Sequence, residues 1–288
     1  MTGALLAVVD RELKRFFRQK GRLVSTFLRP ALWLVVIGSG FSALVHGGVS
    51  YYKYLLPGIY GMVLLFSTFL SALGTVHDRE FGATRMLLIA PLPRSFIVLA
   101  KTVSSTLLGF VQAMMLIPVI WIVGLTPPPS AVLVFVLAAL LGAFTLSCLG
   151  MLIASRVRSV ENFAIVMNLV LFPMFFLSGA LYPAATLPGW LQPFVRVNPL
   201  SYVIDLMRHS LLHGTYPGNL GPDYTQRFDF IVLVAFALVC LGVASALFGE
   251  DDHVGLILLN AQPRKSPLQR ARIRMSVRPR GSRSERVG

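Results

Sequence analysis

The stretch AVLVFVLAALLGAFTLSCLGMLIA, residues 131–154, decides the fold. None of its residues is charged, and it is longer than the roughly 20 residues that an α-helix needs to cross the hydrocarbon of a bilayer. Its polar groups are confined to single hydroxyl and thiol side chains between long apolar ones. The stretch therefore predicts a transmembrane helix.

Five further apolar stretches of similar length predict spans at residues 23–45, 54–76, 102–124, 162–181 and 230–248. Arg29 is the only charged residue in all six, and it lies close enough to the start of its span to reach the interface. Hydrophobic residues make up 55% of the chain and charged residues 13%, against about a quarter in soluble domains. We predict an all-α integral membrane protein with a six-helix transmembrane bundle.

The distribution of Lys and Arg predicts the orientation. The formal net charge is +14, and the basic residues concentrate in the N-terminal segment, in the connections after the second and fourth spans, and in the C-terminal tail. The positive-inside rule then predicts that both termini of this multi-pass protein lie in the cytoplasm. We predict that the protein lies in a bacterial inner membrane. No continuous basic surface results, so nucleic acid is not expected as a partner.

Three regions follow from this pattern. The sequence of residues 1–22 predicts a basic amphipathic helix that lies in the membrane–water interface. A basic segment that only fixes the topology of the first span explains the same residues equally well. Residues 23–249 form the transmembrane domain. Residues 250–288 predict a basic, disordered tail, which serves as a topology anchor more readily than as a specific contact.

The chain lacks the usual signatures of catalysis. It contains no P-loop, no H-E-x-x-H and no G-x-S-x-G motif. Cys148 and Cys240 both lie inside apolar spans, without a Cys/His cluster at metal-ligand spacing. We therefore predict no catalytic residue, no metal site and no bound cofactor. No ionisable residue lies in mid-membrane to bind a coupling ion, so energy for any transport must come from another polypeptide.

The segment HDREFGATRMLLIAPLPRSFIVLAK, residues 77–101, is the best candidate for contact with such a partner. Charged residues open it, and Pro91 and Pro93 prevent a helix from running straight into the next span. A solvated loop without a partner explains the same composition equally well.

The segment of residues 182–227 on the opposite side predicts two short amphipathic helices. The first contains Trp190, and the second begins with Asn198 as N-cap and Pro199 in its first turn. Such helices should dip into the outer leaflet or cap the bundle. A cap without a role in transport is the alternative.

Three stretches carry a resemblance to a known family: DREFGATRMLLIAPLPRSFIVLAK, FFLSGALYP and LPGWLQPFVRVNPLSYVIDLMR. Together they resemble the permease subunits of type-2 ATP-binding-cassette (ABC) exporters, over most of the chain. The resemblance implies a half-transporter that pairs with a second copy or a close paralogue. Each half would dock on a separate P-loop ATPase, expected in two copies, which binds the ATP and Mg that this chain does not bind.

The resemblance also implies two sets of functional positions. A cytoplasmic coupling helix and its following turn would contain Asp78, Arg79, Glu80, Gly82, Thr84, Arg85, Pro91 and Arg94. Two short exterior re-entrant helices would contain Trp190, Asn198, Pro199, Tyr202, Asp205 and Arg208.

The resulting hypothesis is a permease, not an enzyme, that forms the path for a hydrophobic or amphiphilic substrate such as a drug-like molecule, a lipid or a lipid-linked glycan. The alternative is a non-transporting membrane scaffold or sensor that recruits soluble cytoplasmic partners through the same loop.

Overall fold

The structure, a computed structural model, describes residues 2–18, 20–42, 51–81, 94–125, 127–212 and 221–261. Within these ranges the regular elements are helices, and no strand occurs. In chain order the α-helices are α1 (Thr2–Arg18), α2 (Lys20–Ser42), α3 (Tyr51–Glu80), α4 (Arg94–Met114), α5 (Ile117–Ile122), α6 (Pro129–Arg156), α7 (Val160–Phe176), α8 (Gln192–Val197), α9 (Pro199–Leu211) and α10 (Gln226–Ala261), with a 3-10 turn at Ala184–Thr186.

Four helical stretches are long and apolar enough to cross a membrane: Tyr51–Glu80, Ser95–Ile122, Pro129–Arg156 and Gln226–Leu247. They coincide with four of the six predicted spans, so the all-helical, multi-pass class is confirmed. The other two predicted spans fall on shorter apolar helices, Pro30–Gly40 and Val160–Phe176. The count of six spans therefore stays a prediction.

Helix α3 lies at the centre of the bundle, where it packs against α2, α4, α6, α7 and α9. Its large side chains, including Tyr60, Leu64 and Phe69, are fully buried. Because lipid chains are as apolar as these side chains, close packing rather than transfer from water holds such helices together. Gly142 shows this on α6, since a Cβ there would lie 2.6 Å from the Val203 side chain of α9.

Helix α9 is short, yet it is buried along nearly its whole length against α3 and α6. Its start is the predicted one: Asn198 is the N-cap, its side chain accepts a hydrogen bond from the Leu200 amide at 3.0 Å, and Pro199 follows. The preceding helix α8 begins at Gln192 and therefore does not include Trp190, which the sequence placed in this helix. Whether these two helices are re-entrant in a membrane stays a prediction.

The internal contacts divide the chain into two compact units, residues 1–249 and 250–288. In the second unit the backbone is helical up to Ala261, where the sequence predicted a disordered tail from residue 250. The apolar run VGLILL at residues 254–259 favours helix over coil in this part. The disorder predicted for residues 262–288 falls outside the described residues.

Candidate functional site

The last turn of α3 contains three consecutive charged residues that bond to four other helices. We call this group, together with Glu12 of α1 and Lys101 of α4, the α3 anchor: Glu12, Asp78, Arg79, Glu80 and Lys101. Lys101 is 7% exposed, and its Nζ lies 2.5 Å from Asp78 Oδ2 and 3.2 Å from Glu12 Oε1. These two ion pairs join α3, α4 and the N-terminal helix.

Arg79 and Glu80 bind the backbone at the ends of two neighbouring helices. The Nη1 of Arg79 donates to the carbonyl oxygens of Ala154 and Ser155, at 3.4 and 3.2 Å, in the last turn of α6. Glu80 Oε2 accepts a hydrogen bond of 2.7 Å from the amide of Val160, the first residue of α7. The last carbonyls and the first amides of a helix have no intrahelical partners. The cation of Arg79 suits the partial negative charge at the end of α6, and the anion of Glu80 suits the partial positive charge at the start of α7.

The predicted coupling residues are therefore only partly described. Asp78, Arg79 and Glu80 lie together and bond within the chain, and the following Phe81 is 70% exposed. Gly82, Thr84, Arg85 and Pro91 lie outside the described residues. Arg94 is the first residue of α4, and its side chain is not described. A role of these residues in contact with an ATPase stays a prediction.

Sequence reasoning missed Glu12 and Lys101, which complete the α3 anchor. In the sequence, Lys101 is only the last residue of the segment 77–101, and Glu12 lies among the basic residues of the N-terminal segment. A signal was present, since Lys101 directly precedes a predicted span and Glu12 interrupts a basic amphipathic helix. The pairing itself joins residues that are distant in sequence, which a single sequence does not reveal.

A second polar group lies at the start of α3. Arg208 of α9 is 2% exposed, and its Nη2 donates to the Tyr54 hydroxyl at 2.7 Å and to the Gly179 carbonyl at 2.5 Å. The Tyr54 hydroxyl donates to the same carbonyl at 3.1 Å. Gly179 has a φ of 74°, a left-handed conformation that glycine adopts without strain. Arg208 thus holds α9, α3 and the turn after α7 together.

The other predicted positions near α9 serve mainly to fix the backbone. Asn198 Nδ2 donates to the Met174 carbonyl at 2.7 Å, and the Tyr202 hydroxyl donates to the Arg196 carbonyl at 2.6 Å. Trp190 differs from them, since it lies in the turn before α8 and is 71% exposed. Their use in transport stays a prediction.

Asp205, His209 and Asp229 form a compact group that we call the α9 cluster. Asp205 accepts hydrogen bonds from the backbone amides of Asp223 and Tyr224, at 2.8 and 2.9 Å. Burial raises the pKa of the Asp205 carboxyl above its ordinary value, although these two bonds and Arg208 oppose the shift. Each of the three residues offers one atom that could bind a metal ion, and these three atoms all lie within 4.8 Å of one another.

The sequence prediction of no metal site took no account of this group. Asp205 and His209 are four residues apart on α9 and so share one helix face, and Asp229 lies in the first turn of α10. Cys/His spacing patterns do not cover such a mixed set of two carboxylates and one imidazole. The i,i+4 spacing of Asp205 and His209 was the available signal.

Comparison with known proteins gives a consistent result. Residues 3–212 match the family profile described as ABC-2 type transporter. The chain is 31% identical over 265 residues to a protein named putative transport permease ycf38 from Porphyra purpurea, covering 88% of this chain and 86% of that one. It is 26% identical to the inner membrane transport permease YadH of Escherichia coli (82% and 93% covered) and 27% identical to nodulation protein J of Neorhizobium galegae (76% and 84%).

Proposed function

Because this chain belongs to the ABC-2 type transporter family, in which it is a transport permease, we propose that it forms half of an exporter's translocation path, driven by ATP hydrolysis on a separate subunit. The permease of this family is a membrane component and not itself catalytic. The P-loop ATPase, in two copies, would bind ATP and Mg. A second copy of this chain or a close paralogue would complete the path.

The α3 anchor is the observation that carries the proposal. Residues 82–93 connect α3 to α4, and the anchor joins the end of α3 to α1, α4, α6 and α7 through charged hydrogen bonds. Such bonds are about twice as strong as neutral ones, so the joined helix ends should move together. An ATPase that displaces residues 82–93 would then move most of the bundle.

The substrate class is proposed from a cleft beside the anchor. A cavity of about 190 Å³ lies between α1, α3, α4 and α7. Phe16, Leu70 and Leu108 give it apolar walls, and Arg15 and His77 add polar ones. A headgroup of an amphiphilic molecule fits such a mixed surface better than a fully polar solute does. This supports a drug-like molecule, a lipid or a lipid-linked glycan as cargo.

The cellular location is proposed in the same way. The name of the Escherichia coli relative places that protein in an inner membrane. The basic N-terminal segment and tail of this chain favour cytoplasmic termini. In that orientation the α3 anchor faces the cytoplasm, where an ATPase can reach it, and α9 faces the exterior.

Two variants separate contact with the ATPase from transmission of its movement. The first replaces residues 82–93 with a Gly/Ser linker of equal length; the second, Glu80→Leu, removes only the acceptor for the Val160 amide. Tagged chains are purified from the native membrane, and the ATPase recovered with them is measured by mass spectrometry and ATP hydrolysis. Lys14→Met is the control, since Lys14 forms an exposed pair with Asp10 away from the anchor.

We expect the linker variant to lose the ATPase. Glu80→Leu should keep it but lose export of a lipophilic dye into inside-out vesicles, because α7 no longer follows the end of α3. Recovery of the ATPase by the linker variant would contradict the proposed contact. A wild-type chain that recovers no P-loop ATPase would contradict the exporter and favour the membrane scaffold.

A further inference from the structure

Asp229 is a buried carboxylate whose oxygens both lack a hydrogen-bond partner. The residue is 0% exposed, and neither Oδ1 nor Oδ2 accepts a hydrogen bond. An acidic residue in the first turn of a helix commonly accepts from free backbone amides, but Asp229 does not. Its Oδ2 instead lies 3.8 Å from His209 Nε2. The side chain therefore points into the α9 cluster, where its carboxyl faces that of Asp205, and a hydrogen bond between these two groups requires a proton on one of them.

The charges around Asp229 are mostly of its own sign. Asp205 lies beside it, and the exposed Asp223 follows in the adjoining loop. The buried Arg208 donates to Tyr54 and Gly179, and its charge acts on Asp205. An uncompensated buried carboxylate is costly, so this group needs a positive charge or a proton.

The donor set is suited to a metal ion. Beside the two carboxylates and the imidazole, the Tyr224 carbonyl oxygen lies 2.9 Å from His209 Nε2. A carbonyl oxygen can only accept, so Nε2 donates to it in this contact. A cation bound to Nε2 would replace the ring proton and displace the Tyr224 carbonyl. Imidazole favours transition metals, and carboxylate and carbonyl oxygens also suit Mn²⁺.

We propose that Asp205, His209 and Asp229 bind a divalent first-row transition cation, Zn²⁺ or Mn²⁺. The ion would neutralise the two buried carboxylates. It would also join α9 to the first turn of α10. This site is independent of whether the chain exports a substrate.

Binding is measured on the full-length chain in detergent, with a tag that contains no histidine. Isothermal titration with ZnCl₂ and with MnCl₂ gives affinity and stoichiometry, and MgCl₂ serves as a comparison cation. Asp229→Asn and His209→Gln each remove one ligand with little change of volume. Asp223→Asn is the control for charge, because it removes a nearby exposed negative charge but no proposed ligand.

We expect one equivalent of Zn²⁺ or Mn²⁺ to bind the wild-type chain and Asp223→Asn with similar affinity. Asp229→Asn and His209→Gln should weaken binding at least about tenfold. Thermal unfolding followed by tryptophan fluorescence should show that the metal raises the Tm of the wild type but not of Asp229→Asn. Unfolding of the variants without metal shows that they are folded.

Two results would overturn the proposal. In the first, the wild-type chain binds neither Zn²⁺ nor Mn²⁺, and Asp229→Asn has a higher Tm than the wild type in the absence of metal. That result would show that a proton shared by Asp205 and Asp229, and not a metal ion, neutralises the pair. The other is undiminished binding by Asp229→Asn, which would place the metal elsewhere.

Discussion

Replacing Lys101 with methionine tests the α3 anchor by removing its only buried cation. The Nζ of Lys101 is within 3.2 Å of both Asp78 and Glu12. Methionine keeps the length and the apolar stem of the side chain but leaves two carboxylates facing each other. The nearest remaining cation among the described residues is Arg11, which is half exposed and whose Nη2 lies 3.1 Å from Glu12 and 3.6 Å from Asp78.

The expected cost follows from burial. Breaking a buried ion pair by removing one partner costs about 3–5 kcal/mol. Because Arg11 partly compensates Asp78, we expect the lower end, about 3 kcal/mol. For a chain of this size that corresponds to a Tm lower by roughly 5 °C. Lys14→Met removes an exposed pair at 2.7 Å from Asp10 and should cost well under about 1 kcal/mol.

The assay uses the two cysteines of the chain. Cys148 and Cys240 are buried, so a thiol-reactive dye becomes fluorescent only as the bundle unfolds. Asp78→Asn in the Lys101→Met background removes one of the facing charges and should recover part of the lost stability. Equal Tm values for Lys101→Met and Lys14→Met would refute the inference that the anchor stabilises the bundle.

Two further predictions concern α3. Gly58→Ala should lower the Tm markedly, because the new Cβ would lie 2.6 Å from the Ala180 backbone oxygen. Gly74→Ala should leave the Tm unchanged or raise it, because nothing lies within 4 Å of its new Cβ and alanine favours helix over glycine. The same dye assay compares the two variants, and equal effects on the Tm would contradict the packing of α3. Glu80→Leu should lower the free energy of unfolding by about 1 kcal/mol, because the hydrogen bond from the Val160 amide is lost. Glu80→Gln should lower it less, because the glutamine side chain can still accept that hydrogen bond. Equal losses of stability would show that the charge of Glu80 matters and not the hydrogen bond.

The class of the protein could be predicted from the sequence because the length of an apolar run is local information. The predicted span 54–76 lies within Tyr51–Glu80, and 131–154 lies within Pro129–Arg156. The span predicted at 162–181 is a shorter helix, since α7 ends at Phe176, three residues after Pro173. Apolar residues continue to Leu181, but the chain turns at Gly179, and hydropathy alone does not register that turn.

The polar groups could be predicted only in part. Asp78, Arg79 and Glu80 were identified as a unit, but their partners come from α1, α4, α6 and α7, which only the fold brings together. The α9 cluster shows the same limit. Asp229 lies one residue before the predicted start of the last span at 230, so it was not considered beside Asp205 and His209.

The most direct test of the account is purification of the tagged wild-type chain and of the variant with a Gly/Ser linker at residues 82–93, with measurement of the ATPase that each recovers. The account predicts a P-loop ATPase with the wild type and its loss with the linker variant. Equal recovery by both chains would contradict the claim that this segment couples the permease to its ATPase.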